Sequence, residues 1–201
     1  MTGVMSGMVR LFAAIYLPSE IRQQVSMLQQ GIPGVRWVPP GQLHLTLRFI
    51  GNVDRERELC IRSRLAGLLP APMRLCLKQV GVFPDAGPPR VLWTGVEHSE
   101  PLMALRDRLE ASLIAAGCEP EQRSFSPHIT LARLRDVPRA RIIPYLGQHE
   151  RFSAGPFETA EFHLYSSRLS HEGCTHTVEQ TYPIPPCDER DSGVPDPDSC
   201  S

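Results

Sequence analysis

Two short phrases carry most of the chemistry this sequence offers. Residues 44–51 read HLTLRFIG, and residues 128–133 read HITLAR. In each, a histidine is followed two places later by a threonine and three places later by a leucine. Side chains alternate across a strand, so His44, Thr46 and Arg48 share one face. Leu43, Leu45, Leu47 and Phe49 then fall on the other, apolar face, which should pack on helices. The same spacing joins His128 to Thr130, opposite Ile129 and Leu131. An imidazole titrates near pH ~6.5 and moves protons, while a hydroxyl donates hydrogen bonds to phosphate oxygens. Two such strands lining one cleft would give a phosphodiester both an acid and a base, each contributing about 10²–10⁴ in rate. One His-x-Thr arises easily by chance; two copies on two strands are a much more specific signal.

Three further side chains are candidates for touching substrate. Arg48 either neutralises phosphate from the His44 face or is a solvated strand end. Arg133 alternates to the face opposite His128, so a bulge or a strand end is needed to turn it inward. Phe125, just before the second phrase, either stacks on a base or packs in the core. His98, His149, His163, His171 and His176 have no threonine two residues on in such a strand and read as surface or core residues. No His, Asp and Glu cluster at ligand spacing is present, so no metal site is expected. There is no Gly-x-x-x-x-Gly-Lys-[Ser/Thr] stretch either, so neither ATP nor another cofactor is expected.

The elements that must position these residues follow from hydrophobic pattern and punctuation. Val9–Leu17 reads as a buried first strand, and Ser19 is expected to cap a helix running to about Gln30. A short extended piece lies near Arg36–Val38, and Leu43–Ile50 is the first phrase's strand. Asp54 caps a helix to about Leu69 with Leu59, Ile61, Leu65 and Leu68 inward. Strands follow at Met73–Phe83 and Arg90–Glu97, joined by the loop Pro84–Pro89. Ser99–Gly117 is the strongest helix, closed by a glycine. The second phrase's strand spans His128–Leu134, followed by a helix at Pro138–Leu146 and strands at Thr159–Leu169 and Thr175–Tyr182. This is an α+β order in which each half carries one His-x-Thr strand followed by a helix. The two histidines are 84 residues apart, which is too far for a solenoid period. A two-lobed, pseudo-twofold duplication is expected, with two mostly antiparallel sheets, flanking helices and a central cleft.

Composition sets the limits. The chain has 201 residues, a hydrophobic fraction of 41% and a formal net charge of −1, which fits one soluble domain and excludes a general nucleic-acid coat. Lys78 is the only lysine among 21 basic residues, a bias that by itself does not establish phosphate binding. The six scattered cysteines form no Cys-x-x-Cys pair, and no signal peptide or bilayer-length apolar run is seen, so free thiols in a reducing cytoplasm are expected. Residues 1–8 read as a flexible leader and 9–183 as the two-lobed domain. Residues 184–201, acidic and proline-rich, read as a disordered tail. Nothing in the sequence demands more than a monomer.

The phrases at His44–Gly51 and Ser126–Arg133 resemble the paired signatures of the two-histidine phosphoesterases. The resemblance is nearest to the RNA 2′,3′-cyclic phosphodiesterases once called 2′-5′ RNA ligases. Arg10–Ile15 followed by Pro18 resembles that family's opening strand, and Glu161–Ser167 its late strand, so residues 9–183 are covered. The resemblance implies a bilobal fold with the motif strands facing each other. It implies opening of a 2′,3′-cyclic phosphate at an RNA 3′ end to a 2′-phosphate, with possible reverse 2′-5′ ligation. On this chain His44 would be the proton donor, His128 the proton acceptor, and Thr46 and Thr130 the phosphate holders. Other readings are turnover of small cyclic nucleotides or 2′-5′ oligoadenylates, and a non-catalytic module that binds RNA ends.

Overall fold

A computed structural model describes residues 7–170 and 173–187. Most of the leader and tail drawn from the sequence therefore lies outside the described residues. The tail's first residue, Ile184, is buried, and its amide donates to the Ala160 carbonyl, so the packed domain runs past the boundary at 183.

The chain runs β1 (Val9–Tyr16), α1 (Ser19–Ser26), β2 (Arg36–Trp37), β3 (His44–Val53), α2 (Arg55–Ala66), β4 (Arg74–Phe83), β5 (Val91–Val96) and α3 (Glu100–Ala115). It continues through β6 (His128–Arg133), α4 (Arg139–Gln148), β7 (Ser153–Glu158), β8 (Glu161–Ser170) and β9 (Gly173–Pro183). Ser19 is the first residue of α1 rather than its cap; Pro18 and Pro138 hold the cap positions of α1 and α4 and make no side-chain bond there, whereas α2 and α3 are side-chain capped. Asp54 accepts from the Arg57 amide at 2.8 Å ahead of α2, and the Ser99 hydroxyl accepts from the Leu102 amide ahead of α3.

The strands pair in the order β7-β4-β5-β6-β3-β1-β8-β9, with β2 added to β6, and every pairing is antiparallel. Two four-stranded halves meet at one rung, Leu45 to Ile129. A pseudo-twofold axis through that rung relates β3 to β6, β1 to β5, and β8 to β4. The last strand of each repeat is donated to the other lobe: β4 pairs with β5, and β8 with β1. This exchange is why the halves pack as one unit.

One face of the sheet holds the main core. Leu11, Ala13, Ile15, Leu45, Leu47, Ile129 and Leu131 meet Ile21 and Val25 of α1, Ile61 and Leu65 of α2, the α3 leucines 102, 105, 109 and 113, and Ile142 of α4. The other face carries only a small buried cluster of Phe12, Ala14 and Tyr165. It is left for the site. No described helix is long and apolar enough to cross a membrane.

Two expectations fail for local reasons. Strand β7, SAGPFE, is absent from the sequence reading because Gly155 and Pro156 interrupt its pattern; as an edge strand it tolerates a proline. Leu59 is 51% exposed, and its neighbour Glu58 is buried instead, held by Arg55 and Arg62.

Candidate active site

The two phrases lie side by side on the open face. Antiparallel pairing about the Leu45–Ile129 rung sets His44 beside Thr130 and Thr46 beside His128. The histidines are thus diagonal neighbours, roughly 7–8 Å apart in a regular ladder, which leaves room for a phosphate between their rings. Each imidazole is fixed in the same way. His44 Nδ1 lies 2.6 Å from the Gln42 carbonyl oxygen, and His128 Nδ1 lies 2.7 Å from that of Ser126. A carbonyl only accepts, so each Nδ1 carries the hydrogen and each Nε2 is left for the cleft. Each ring also rests on a phenylalanine: His44 on Phe12 at 5.2 Å, and His128 on Phe83 at 5.0 Å.

Burial pushes the His44 imidazole down to about 4, helped by the neighbouring His176, His128 and Arg133 and opposed by the Gln42 carbonyl. His128 is lowered too, by burial first and by Arg133 next, against the Ser126 carbonyl. Without an anion both rings are neutral at pH 7. The Arg133 charge reaches both of them.

Arg133 faces the cleft because β6 is bulged. Trp93 pairs with Thr130 but Leu92 pairs with Ala132, so Leu131 is the extra residue. Leu131 and Ala132 are both buried, and Arg133 returns to the histidine face. The same bulge occurs in β3, where Ala14 pairs with Thr46 and Ala13 with Arg48, leaving Leu47 as the extra residue. There it turns Arg48 away. Arg48 points to the helix side, with Nε 2.7 Å from Glu110 Oε2 of α3 and Nη2 2.7 Å from the Glu119 carbonyl oxygen. Simple alternation placed Arg48 with His44 and Phe49 with the core; the bulge reverses both. Phe49, 49% exposed and paired with Phe12, opens onto the cleft.

Phe125 is packed against the core with the Arg106 guanidinium 5.7 Å from its ring, rather than open to the cleft. Sequence reasoning also missed His176. Its ring stands edge-on to His44 at 5.4 Å and to Phe12 at 4.9 Å, delivered by β9. Pairing of β9 with β8 brings it there, and no local sequence pattern records that. Trp93 lies 6.4 Å from His128 and packs against Gly81, where an added Cβ would collide with the indole. His163 is buried, with Nδ1 bonded to the Thr181 hydroxyl. No group of three or more potential metal-ligating side chains occurs among the described residues.

Known proteins share this fold. The family described as "LigT like Phosphoesterase" matches the chain twice, over residues 15–93 and 95–175, one match per repeat. An RNA 2′,3′-cyclic phosphodiesterase of Thermus thermophilus is 36% identical over 188 residues, covering 88% of this chain and 90% of that protein. One from Methanothermobacter thermautotrophicus is 32% identical, covering 87% and 98%. The crystal structure of E. coli LigT complexed with 3′-AMP superposes with a TM-score of 0.72 at 29% identity, covering 89% of this chain and 99% of that one. Two family matches, one on each His-x-Thr repeat, settle the relationship: the chain belongs to the LigT-like phosphoesterase family.

Proposed function

We propose that the protein is an RNA 2′,3′-cyclic phosphodiesterase that opens the ring to leave a 2′-phosphate. The observation that carries this reading is the matched pair of imidazoles, each anchored through Nδ1 to the carbonyl two residues before it, with both Nε2 atoms free for one cleft. Curated relatives named for that activity, and a related structure with 3′-AMP, support a nucleotide in the cleft.

The reaction needs two proton transfers. Neutral His128 takes a proton from water through Nε2 as the water oxygen bonds to phosphorus. Protonated His44 gives its Nε2 proton to O3′ as the P–O3′ bond breaks. Thr46 and Thr130 donate to the non-bridging oxygens, and Arg133 stabilises their charge. His44 is neutral in the free protein, so it must gain its proton as the anionic diester binds. The substrate's negative charge favours the imidazolium it sits against. Ring strain in the cyclic ester lowers the barrier the two histidines face, and the scheme asks for neither metal nor ATP. With a 5′-hydroxyl in place of water, the reverse path makes a 2′-5′ bond. The free cysteines at 60, 76, 118, 174 and 187 fit a reducing cytoplasm.

The test is product analysis. An oligoribonucleotide ending in a cyclic phosphate, incubated with the protein in EDTA, should yield a 2′-phosphate. Loss of turnover in chelator, or a 3′-phosphate product, contradicts the scheme.

A further inference from the structure

The cleft face is laid out in rows along the seam between β6 and the strands beside it. Thr46 stands opposite His128, and His44 opposite Thr130, on either side of the Leu45–Ile129 rung. Past Thr130 the seam continues on β2. The Val38 amide donates to the Leu131 carbonyl, Trp37 pairs with Ala132, and Arg36 pairs with Arg133. Residues paired across a sheet present their side chains on the same face. Trp37 packs with the core, its ring 6.4 Å from that of Tyr145 of α4, on the side where Ala132 is buried. Arg36 therefore joins Arg133 on the face of the histidines. The third row of the cleft is two guanidiniums.

Like charges directly opposite each other on a sheet repel. Nothing offsets them here: both side chains are exposed, and the ion pairs among the described residues are made by other groups. Such a row is stabilised by an anion. Arg133 charge reaches both imidazoles, so it serves the reacting phosphate. Arg36 lies across from it, one row past His44 and at the outer end of that column. An anion at Arg36 is thus a second one, distinct from the cyclic ester. An RNA end carries a second anion close by, in the phosphodiester that joins the terminal nucleoside to the one before it. A free cyclic nucleotide does not.

We infer that Arg36 binds the phosphate on the 5′ side of the terminal nucleoside, and so makes the site favour an RNA end over a free cyclic nucleotide. A guanidinium forks onto two phosphate oxygens. Phosphate contacts carry no base information, so the preference is for a chain and not for a sequence.

This inference rests on the proposed cyclic phosphodiesterase activity, and the two can fail separately. The experiment compares wild type with R36A on adenosine 2′,3′-cyclic phosphate, on the same nucleotide bearing a 5′-phosphate, and on a short oligoribonucleotide ending in a cyclic phosphate. R36A should raise KM about tenfold on the second and third substrates, the loss of one charged hydrogen bond, and leave the first unchanged. On the oligonucleotide, the slope of log KM against log salt should be shallower in R36A by roughly 0.7. R36A should melt no lower than wild type, because it relieves a repulsion. A wild type that turns over none of the three substrates overturns the activity itself. Equal losses on all three would place Arg36 on the reacting phosphate and overturn the inference, as would no loss on any. A loss on the oligonucleotide alone would put the contact further along the chain and overturn the assignment to the 5′ phosphate.

Discussion

Leu45 pairs with Ile129, and that one rung brings together two histidines 84 residues apart in the chain. Its side chains point into the core, both of them at most 1% exposed, while the residues on either side of each point into the cleft. The core and the site are therefore opposite faces of the same two strands.

Replacing either catalytic candidate should show which proton it handles. H44A and H128A are each expected to lower kcat by about 10²–10⁴, and the double variant should cost little more than the worse single one, because the pair acts as a unit. A substrate with sulfur in place of O3′ has a leaving group that needs no proton. H44A should recover most of its activity on it, whereas H128A should not. Recovery by H128A instead would reverse the acid and base assignments.

The pH profile follows from burial. The acid must be protonated, so activity falls as pH rises past its pKa; the base must be neutral, so activity falls as pH drops below its pKa. Both histidines are lowered from 6.5 in the free protein, so the kcat/KM bell should centre below pH 6.5. Bound substrate anion raises both, so the kcat bell should lie at higher pH. Coincident profiles centred above pH 7 would contradict this account.

His44 should also make the fold sensitive to acid. The unfolded chain's imidazole takes up a proton near pH ~6.5, and the folded one resists until about 4. Between those values the unfolded state binds more protons, so stability is highest above pH 6.5 and falls as pH drops toward 4, by about 3 kcal/mol at most. Urea denaturation at pH 7.5 and 4.5 measures it. In H44N, which cannot titrate there, that part of the loss should vanish.

The two motif arginines should separate cleanly. Arg48 and Glu110 have side chains only 10% and 13% exposed, and Glu110 keeps the Glu121 amide and Arg106 when Arg48 is removed, so R48A loses one charged hydrogen bond and should cost about 1.5–3 kcal/mol of stability. Arg133 is exposed on the cleft, so R133A should leave stability within about 0.5 kcal/mol and lower kcat/KM. Thermal melts and steady-state rates on the same two variants decide the matter.

Strand periodicity was enough to read the His-x-Thr faces and most elements, because the apolar side of each motif strand is fully buried. It misassigned Arg48 and Phe49, and it could not show what turns Arg133 inward, for one reason. A bulge is a property of a strand pair, and no single-strand pattern records the extra residue at Leu47 or Leu131. His176 was missed likewise, since the register of β9 on β8 brings it beside His44. Leu59 failed because α2 buries Glu58 through two arginines, and helical spacing alone does not foresee an ion pair taking an apolar position.

The crossed placement of β4 and β8 means that neither repeat owns a complete lobe. Nicking the exposed Pro84–Pro88 segment would leave each fragment holding one motif histidine and an unsatisfied sheet edge that fits the other fragment. The pieces would have to clasp, each lending a strand, before the two imidazoles could stand beside one another again. The cleft is indivisible by construction.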